Sequence, residues 1–230
     1  MAISLLRFDK PLAVESFAGR ELATKVRYST RRADNFLVDG SITPEADVFS
    51  HIALCEEKVT CEKVIEELID ESKQMAGLAE SIQLFLRPYM HRGHINWLDP
   101  ISAGAIFEPH TKPAEISPVV VLTSGGFSAP ESQMERVGRT ISHTVTVAEN
   151  ALKANGLKFR RVFSLCENLG DPITFTVWDS EDDIAKFAYQ PGEHLNRVKP
   201  QLESEFHFDR TSFTRFSIKR AEGQWEGVRL

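Results

Sequence analysis

The stretch PVVVLTS, Pro118–Ser124, decides how this chain is read. Three valines and a leucine, bounded by Pro118 and the Gly125–Gly126 pair, make a short strand of the fully buried type. It stands near the middle of 230 residues. The pattern downstream of it repeats the pattern downstream of an earlier strand, ISLLRF at Ile3–Phe8.

After ISLLRF, the segment from Leu12 to about Lys25 can carry a helix, and the polar region Tyr28–Gly40 is ambiguous. DVFSHIALCE (Asp47–Glu56) is a strand. Cys61, Val64, Ile65, Leu68, Ile69, Met75 and Ala76 then recur at helical spacing, with Glu62, Glu66, Glu67, Asp70 and Glu71 opposite them as a solvated face. SIQLFLR (Ser81–Arg87) is a strand that Pro88 should stop.

Downstream of PVVVLTS, Met134, Val137, Ile141, Val145, Ala148 and Leu152 mark a long helix ending at Asn155–Gly156. KFRRVFSLCE (Lys158–Glu167) and ITFTVW (Ile173–Trp178) are strands around an NLGDP turn. Ser180 with Asp183 forms a capping box that opens a helix through Phe187 and Ala188. SFTRFSIK (Ser212–Lys219) alternates as a half-buried strand.

Each half thus reads βαββαβ, the ferredoxin-like order. The expected fold is α+β, tandem ferredoxin-like (βαββαβ twice), with the two sheets forming an α/β barrel and the helices outside. The expected division is residues 1–88, a Gly-, His- and Pro-rich loop 89–116, and residues 117–230.

A formal charge of −6 leaves no basic stripe to neutralise phosphates, which argues against a nucleic-acid partner. No apolar run reaches the length of a membrane span, and MAISLLRFDK is too short and too early-charged for a signal peptide. Cys55, Cys61 and Cys166 are scattered, with no CxxC, which suits a reducing cytoplasm. Dinucleotide, P-loop and hydrolase motifs are missing from the sequence.

Four blocks carry a resemblance. ESIQLFLRPYMHRG (Glu80–Gly93) is followed by Trp97; SPVVVLTSG opens the second half; TFTVWDSEDDIAKFAYQPGEHLNRV spans Thr174–Val198; SFTRF (Ser212–Phe216) comes last. In this order, across nearly the whole chain, they resemble the spheroidene monooxygenase family. The resemblance implies a haem-dependent monooxygenase acting on an apolar, carotenoid-like substrate with dioxygen and an external reductant, such as a ferredoxin-type electron donor.

A small set of residues are candidates for the site. With a helix starting near Gly192, the stripe Leu195, Val198 and Leu202 leaves His194 at its border, where an imidazole can turn toward a cleft. On the residues alone His194 is a helix-start or surface histidine; the resemblance implies an axial ligand to haem iron. Arg87, ending a buried-looking strand, reads as a salt-bridged or solvated strand end. In a haem protein it would be the cation that polarises dioxygen or holds a propionate. Trp178, Phe187 and Tyr189, with Phe85 and Phe175, would line the cleft, although each also suits an ordinary core. His207, between Phe206 and Phe208, is the rival axial ligand.

His51 and His143 read as structural, and HRGH (His91–His94) lacks a carboxylate or thiol at ligand spacing. Two other classes stay open: a non-enzymatic haem-binding module, and a cofactor-free α/β-barrel binding protein or oxygenase. A monomer and a homodimer both suit two fused halves.

Overall fold

A computed structural model describes residues 1–10, 21–22, 26–36, 42–55, 77–94, 118–128, 153–165, 168–190 and 207–230, with single positions between them. Its frame is nine strands: β1 (Ala2–Phe8), β2 (Glu21–Leu22), β3 (Val26–Phe36), β4 (Ile42–Cys55), β5 (Leu78–Gly93), β6 (Val119–Gly126), β7 (Leu157–Leu165), β8 (Asn168–Trp178) and β9 (Arg210–Gly223). One helix is described whole, α1 (Glu181–Tyr189), between β8 and β9. The fold is therefore α+β, dominated by antiparallel sheet.

The strands form one sheet in the order β2-β3-β4-β1-β5-β9-β6-β8-β7, and β7 pairs in addition with β3. Arg31 faces Leu165 and Ala33 faces Phe163 across that seam, so the two ends meet and the sheet curls. The core confirms the curl. Ile3, Leu5 and Val48 from one half share a single buried cluster with Phe159, Ile173, Phe175 and Val177 from the other. Strands so far apart in the sheet can share a cluster only on a concave face. The convex face carries a second cluster of Tyr89, Val119, Val121 and Trp178 beneath Ile184 of α1.

Local chemistry explains the elements. On β1 and β6 both faces are buried, which is why ISLLRF and PVVVLTS read as near-continuous apolar runs. Ser180 caps α1: its hydroxyl accepts from the Asp183 N–H at 3.2 Å, and three acidic residues fill the first turn. Lys63, Glu66, Glu67, Asp70, Lys73 and Gln74 are helical and exposed, the polar face expected over 61–76. Glu66 reaches Arg220 of β9 at 2.9 Å. In the 134–152 segment, positions 135, 136, 138–140 and 151 are helical. Gly156 has φ +81°, as a helix stop requires.

Three expectations are corrected, and the ambiguous Tyr28–Gly40 region is resolved. β5 does not stop at Pro88 but runs to Gly93, five residues beyond the expected boundary of the first half. Met1 exchanges hydrogen bonds with Leu86, but past Leu86 the described residues pair with β5 on one side only, through β9, where a register shift comes after Pro88. A residue with no N–H is tolerated there. The polar Tyr28–Gly40 region contains strand β3, through Phe36. The NLGDP segment, read as a turn, belongs to β8, because Leu165 already pairs with Asn168. Glu21 and Leu22, inside the expected first helix, form β2; residues 11–20 and 95–117 lie outside the described residues.

Candidate functional site

The blocks that carry the resemblance are far apart in sequence, yet β5, β9, β6 and β8 are consecutive in the sheet, with α1 following β8. Their convex side is the candidate site. Val119, Val121, Trp178 and Ile184 floor it, with Phe187, Phe213 and Met90 packed at its margin. Trp178 and Phe187 are in direct contact, ring centroids 5.3 Å apart, and the Trp178 indole N–H donates to Thr176 Oγ1 at 2.9 Å.

A polar cluster edges this floor. The Tyr89 hydroxyl donates to Glu181 Oε1 at 3.0 Å, and Arg215 Nη1 approaches the same oxygen at 3.3 Å. Burial first, then the hydrogen bond and charge of Glu181, push the Tyr89 phenol well above its ordinary range, with Arg215 opposing. Tyr89 is therefore a fixed donor at neutral pH rather than a base. Sequence reading missed this trio. Residues 89, 181 and 215 meet only through strand register, and a tyrosine followed by a methionine in an apolar strand gives no local signal.

The expected site residues separate. Trp178 and Phe187, both expected to line the cleft, are in contact with each other. Tyr189 does not join them: at the last turn of α1 it is 63% exposed. Phe175 lies on the opposite, concave face, and Phe85 is covered by the Arg220 guanidinium, 3.9 Å above its ring. Arg87 pairs in register with Ser217, whose other neighbour is Val119, so it falls on the convex face; its side chain is exposed, with no ion pair among the described residues. His194 lies outside the described residues. His207 is half-buried, and its carbonyl accepts from Arg136 Nη2 at 2.7 Å. Arg136 also pairs with Asp209 at 2.6 Å, which fixes the approach to β9.

The concave face holds a second polar feature. His91 Nδ1 lies 2.7 Å from Thr214 Oγ1, and Ser124 Oγ lies 2.6 Å from Ser212 Oγ beside it in register. Burial lowers the His91 pKa, so the ring is neutral at pH 7.

The chemistry of the convex patch, aromatic and aliphatic side chains beside an exposed Arg87 with no ion pair among the described residues, suits a flat apolar group bearing carboxylates. The Trp178–Phe187 contact fills the space between β8 and α1, so such a group would lie beyond Phe187. His194 comes five residues after Tyr189, within about 17 Å of chain reach.

No family model matches the chain, and no curated protein sequence matches it. Solved structures do. An aldoxime dehydratase aligns over 94% of this chain and 81% of its own, with 7% identity and a TM-score of 0.54. A second aldoxime dehydratase, in complex with butyraldoxime, aligns over 94% of this chain and 78% of its own, with 11% identity and a TM-score of 0.50. A Fusobacterium nucleatum protein described as a monooxygenase aligns over 97% and 93%, with 7% identity and a TM-score of 0.40. At these identities the likeness is one of fold. No described helix is long and apolar enough to cross a membrane.

Proposed function

We propose that this chain is a haem-dependent monooxygenase of the spheroidene monooxygenase type, acting in the cytoplasm on an apolar, carotenoid-like substrate with dioxygen and a ferredoxin-type electron donor. The observation that carries the reading is the assembly of the resembling blocks into one convex patch. Strand order supports the matching fold, a tandem ferredoxin-like barrel. Numbering the four long strands of each half in chain order, β3-β4-β1-β5 and β7-β8-β6-β9 both read 2-3-1-4. The first half would then be residues 1–88 and the second 117–230, joined near 89–116. Two fused halves suit a monomer or a homodimer.

Within this reading His194 holds the iron, Arg87 binds a carboxylate of the haem, and Trp178 and Phe187 form the apolar wall that excludes water. When bound, haem supplies oxygen activation at its iron. The chain's own work is orientation. Tyr89, locked by Glu181, and Arg215 fix the wall relative to β5 and β9. Val119 and Val121, buried beneath Ile184, seat α1 on the sheet, and Phe213 at the margin gives an apolar substrate a dry contact.

The Trp178–Phe187 contact favours a second reading, a cofactor-free barrel protein that binds or oxygenates an apolar metabolite. One titration separates the two. Adding haemin to the purified chain should produce a saturable Soret band at about one haem per chain, lost in His194→Ala and kept in His207→Ala. A flat spectrum would sink the haem reading and leave the second. A Soret band with no turnover of carotenoid and reductant would leave a haem-binding module.

A further inference from the structure

The concave face ends, on the side away from His91, in a turn that seats Trp225. β9 finishes at Gly223, and the Gln224 N–H donates to the Ser81 carbonyl at 2.9 Å. Trp225 and Val228 then exchange backbone hydrogen bonds of 3.0 and 2.8 Å around Glu226 and Gly227, both with positive φ. This is a tight turn with the backbone signs of type I′. It buries the Trp225 indole completely, inside the cluster that fills the curled sheet.

Two arginines hold this pair of residues, and each holds it twice. The Arg7 and Arg161 guanidiniums lie 4.8 and 5.4 Å from the Trp225 ring centroid. Both also pair with the Glu226 carboxylate, Arg7 at 3.1 Å. Glu80 completes the seat, pairing with Arg7 at 3.2 Å and accepting the Glu226 N–H at 2.6 Å. Guanidinium against a ring face and guanidinium against a carboxylate, from the same two residues, is how an aromatic carboxylate is recognised.

The internal occupant fits imperfectly. Glu226 adopts φ +51°, the one positive value at a non-glycine among the described residues. The buried Trp225 Nε1–H has no acceptor among the described residues. Ser50 Oγ, buried and likewise without a partner among them, lies on the same face. It pairs in register with Leu5, while Val48 pairs with Arg7.

We propose that the Arg7–Arg161 end of the concave face is a binding site for an aromatic carboxylate of about indole size, and that Trp225 and Glu226 occupy it as an internal stand-in. The ligand's ring takes the place of the indole, its carboxylate takes that of Glu226, and the 224–228 turn swings out. The site is on the opposite face of the sheet from the convex patch and does not depend on haem.

Calorimetry on the full chain tests this with indole-3-propionate and with indole, a probe lacking the carboxylate. Trp225→Ala should bind the acid at least about tenfold tighter than the unmodified chain does, and about tenfold tighter than it binds indole. Adding Arg161→Ala should remove that preference. A folded Trp225→Ala chain that binds neither probe, or both equally, overturns the proposal. Should Trp225→Ala fail to fold, Glu226→Gln keeps the ring and the turn while weakening the hold. It should bind the acid more tightly than the unmodified chain, and equal affinity overturns the proposal.

Discussion

At the scale of the residue, burial and register set the chemistry. His91 sits against Thr214 with its pKa lowered chiefly by burial. As pH falls, the unfolded chain takes up this proton before the folded one does. His91 therefore costs stability as pH drops through the ordinary value of 6.5, and the loss levels off below the lowered native value. Denaturation of the parent and His91→Gln chains between pH 8 and about pH 5 should show a decline that the variant lacks. Parallel curves would refute the assignment. Gly93 has φ +86°, and a Cβ there would collide with the Thr211 carbonyl oxygen. Gly93→Ala should cost about 2 kcal/mol or more in urea denaturation. Tyr89→Phe should cost only about 1 kcal/mol, because Arg215 stays on the Glu181 carboxylate.

At the scale of the element, α1 was readable because its signals are local. Ser180 stands three residues before Asp183, Glu181 and Asp182 complete the acidic first turn, and Ile184 faces the core. Ser180→Ala should lower stability by about 1 kcal/mol, and an unchanged urea midpoint would show that the cap contributes nothing. β5 and β3 were harder. Pro88 has a local meaning, strand stop, which is overridden where β5 has one neighbour and a register shift. β3 has too many charges for a periodicity reading. It is a strand because β4 lies along one side of it and β2 and β7 pair on the other.

At the scale of the molecule, the two joins between the halves differ. β5 and β9 share eleven register pairs from Ile82–Gly223 to Gly93–Ser212, whereas β3 and β7 share three. Amide exchange should therefore be slow along β5 and β9 and faster at residues 31–33 and 163–165. The opposite order would mean that the curl does not close through that seam. The concave cluster holds the curl from inside. Phe216→Ala, removing a fully buried ring at its middle, should cost about 3–5 kcal/mol. Circular dichroism dominated by helix would contradict the sheet altogether.

The strands buried on both faces, the capped helix and the exposed polar positions 66, 67 and 70 were legible in the sequence alone. Each is written in neighbours a few residues apart, where periodicity and capping act. The tertiary structure was needed to show that the Phe175 face of β8, rather than the Trp178 face, lines the inside of the curl, and that Arg87 is exposed. It alone brought Tyr89, Glu181 and Arg215 together, and sank Trp225 between Arg7 and Arg161. Those outcomes depend on strand register and on the curl of the sheet. Both are set by many weak long-range pairings at once, and no short stretch of chain records them.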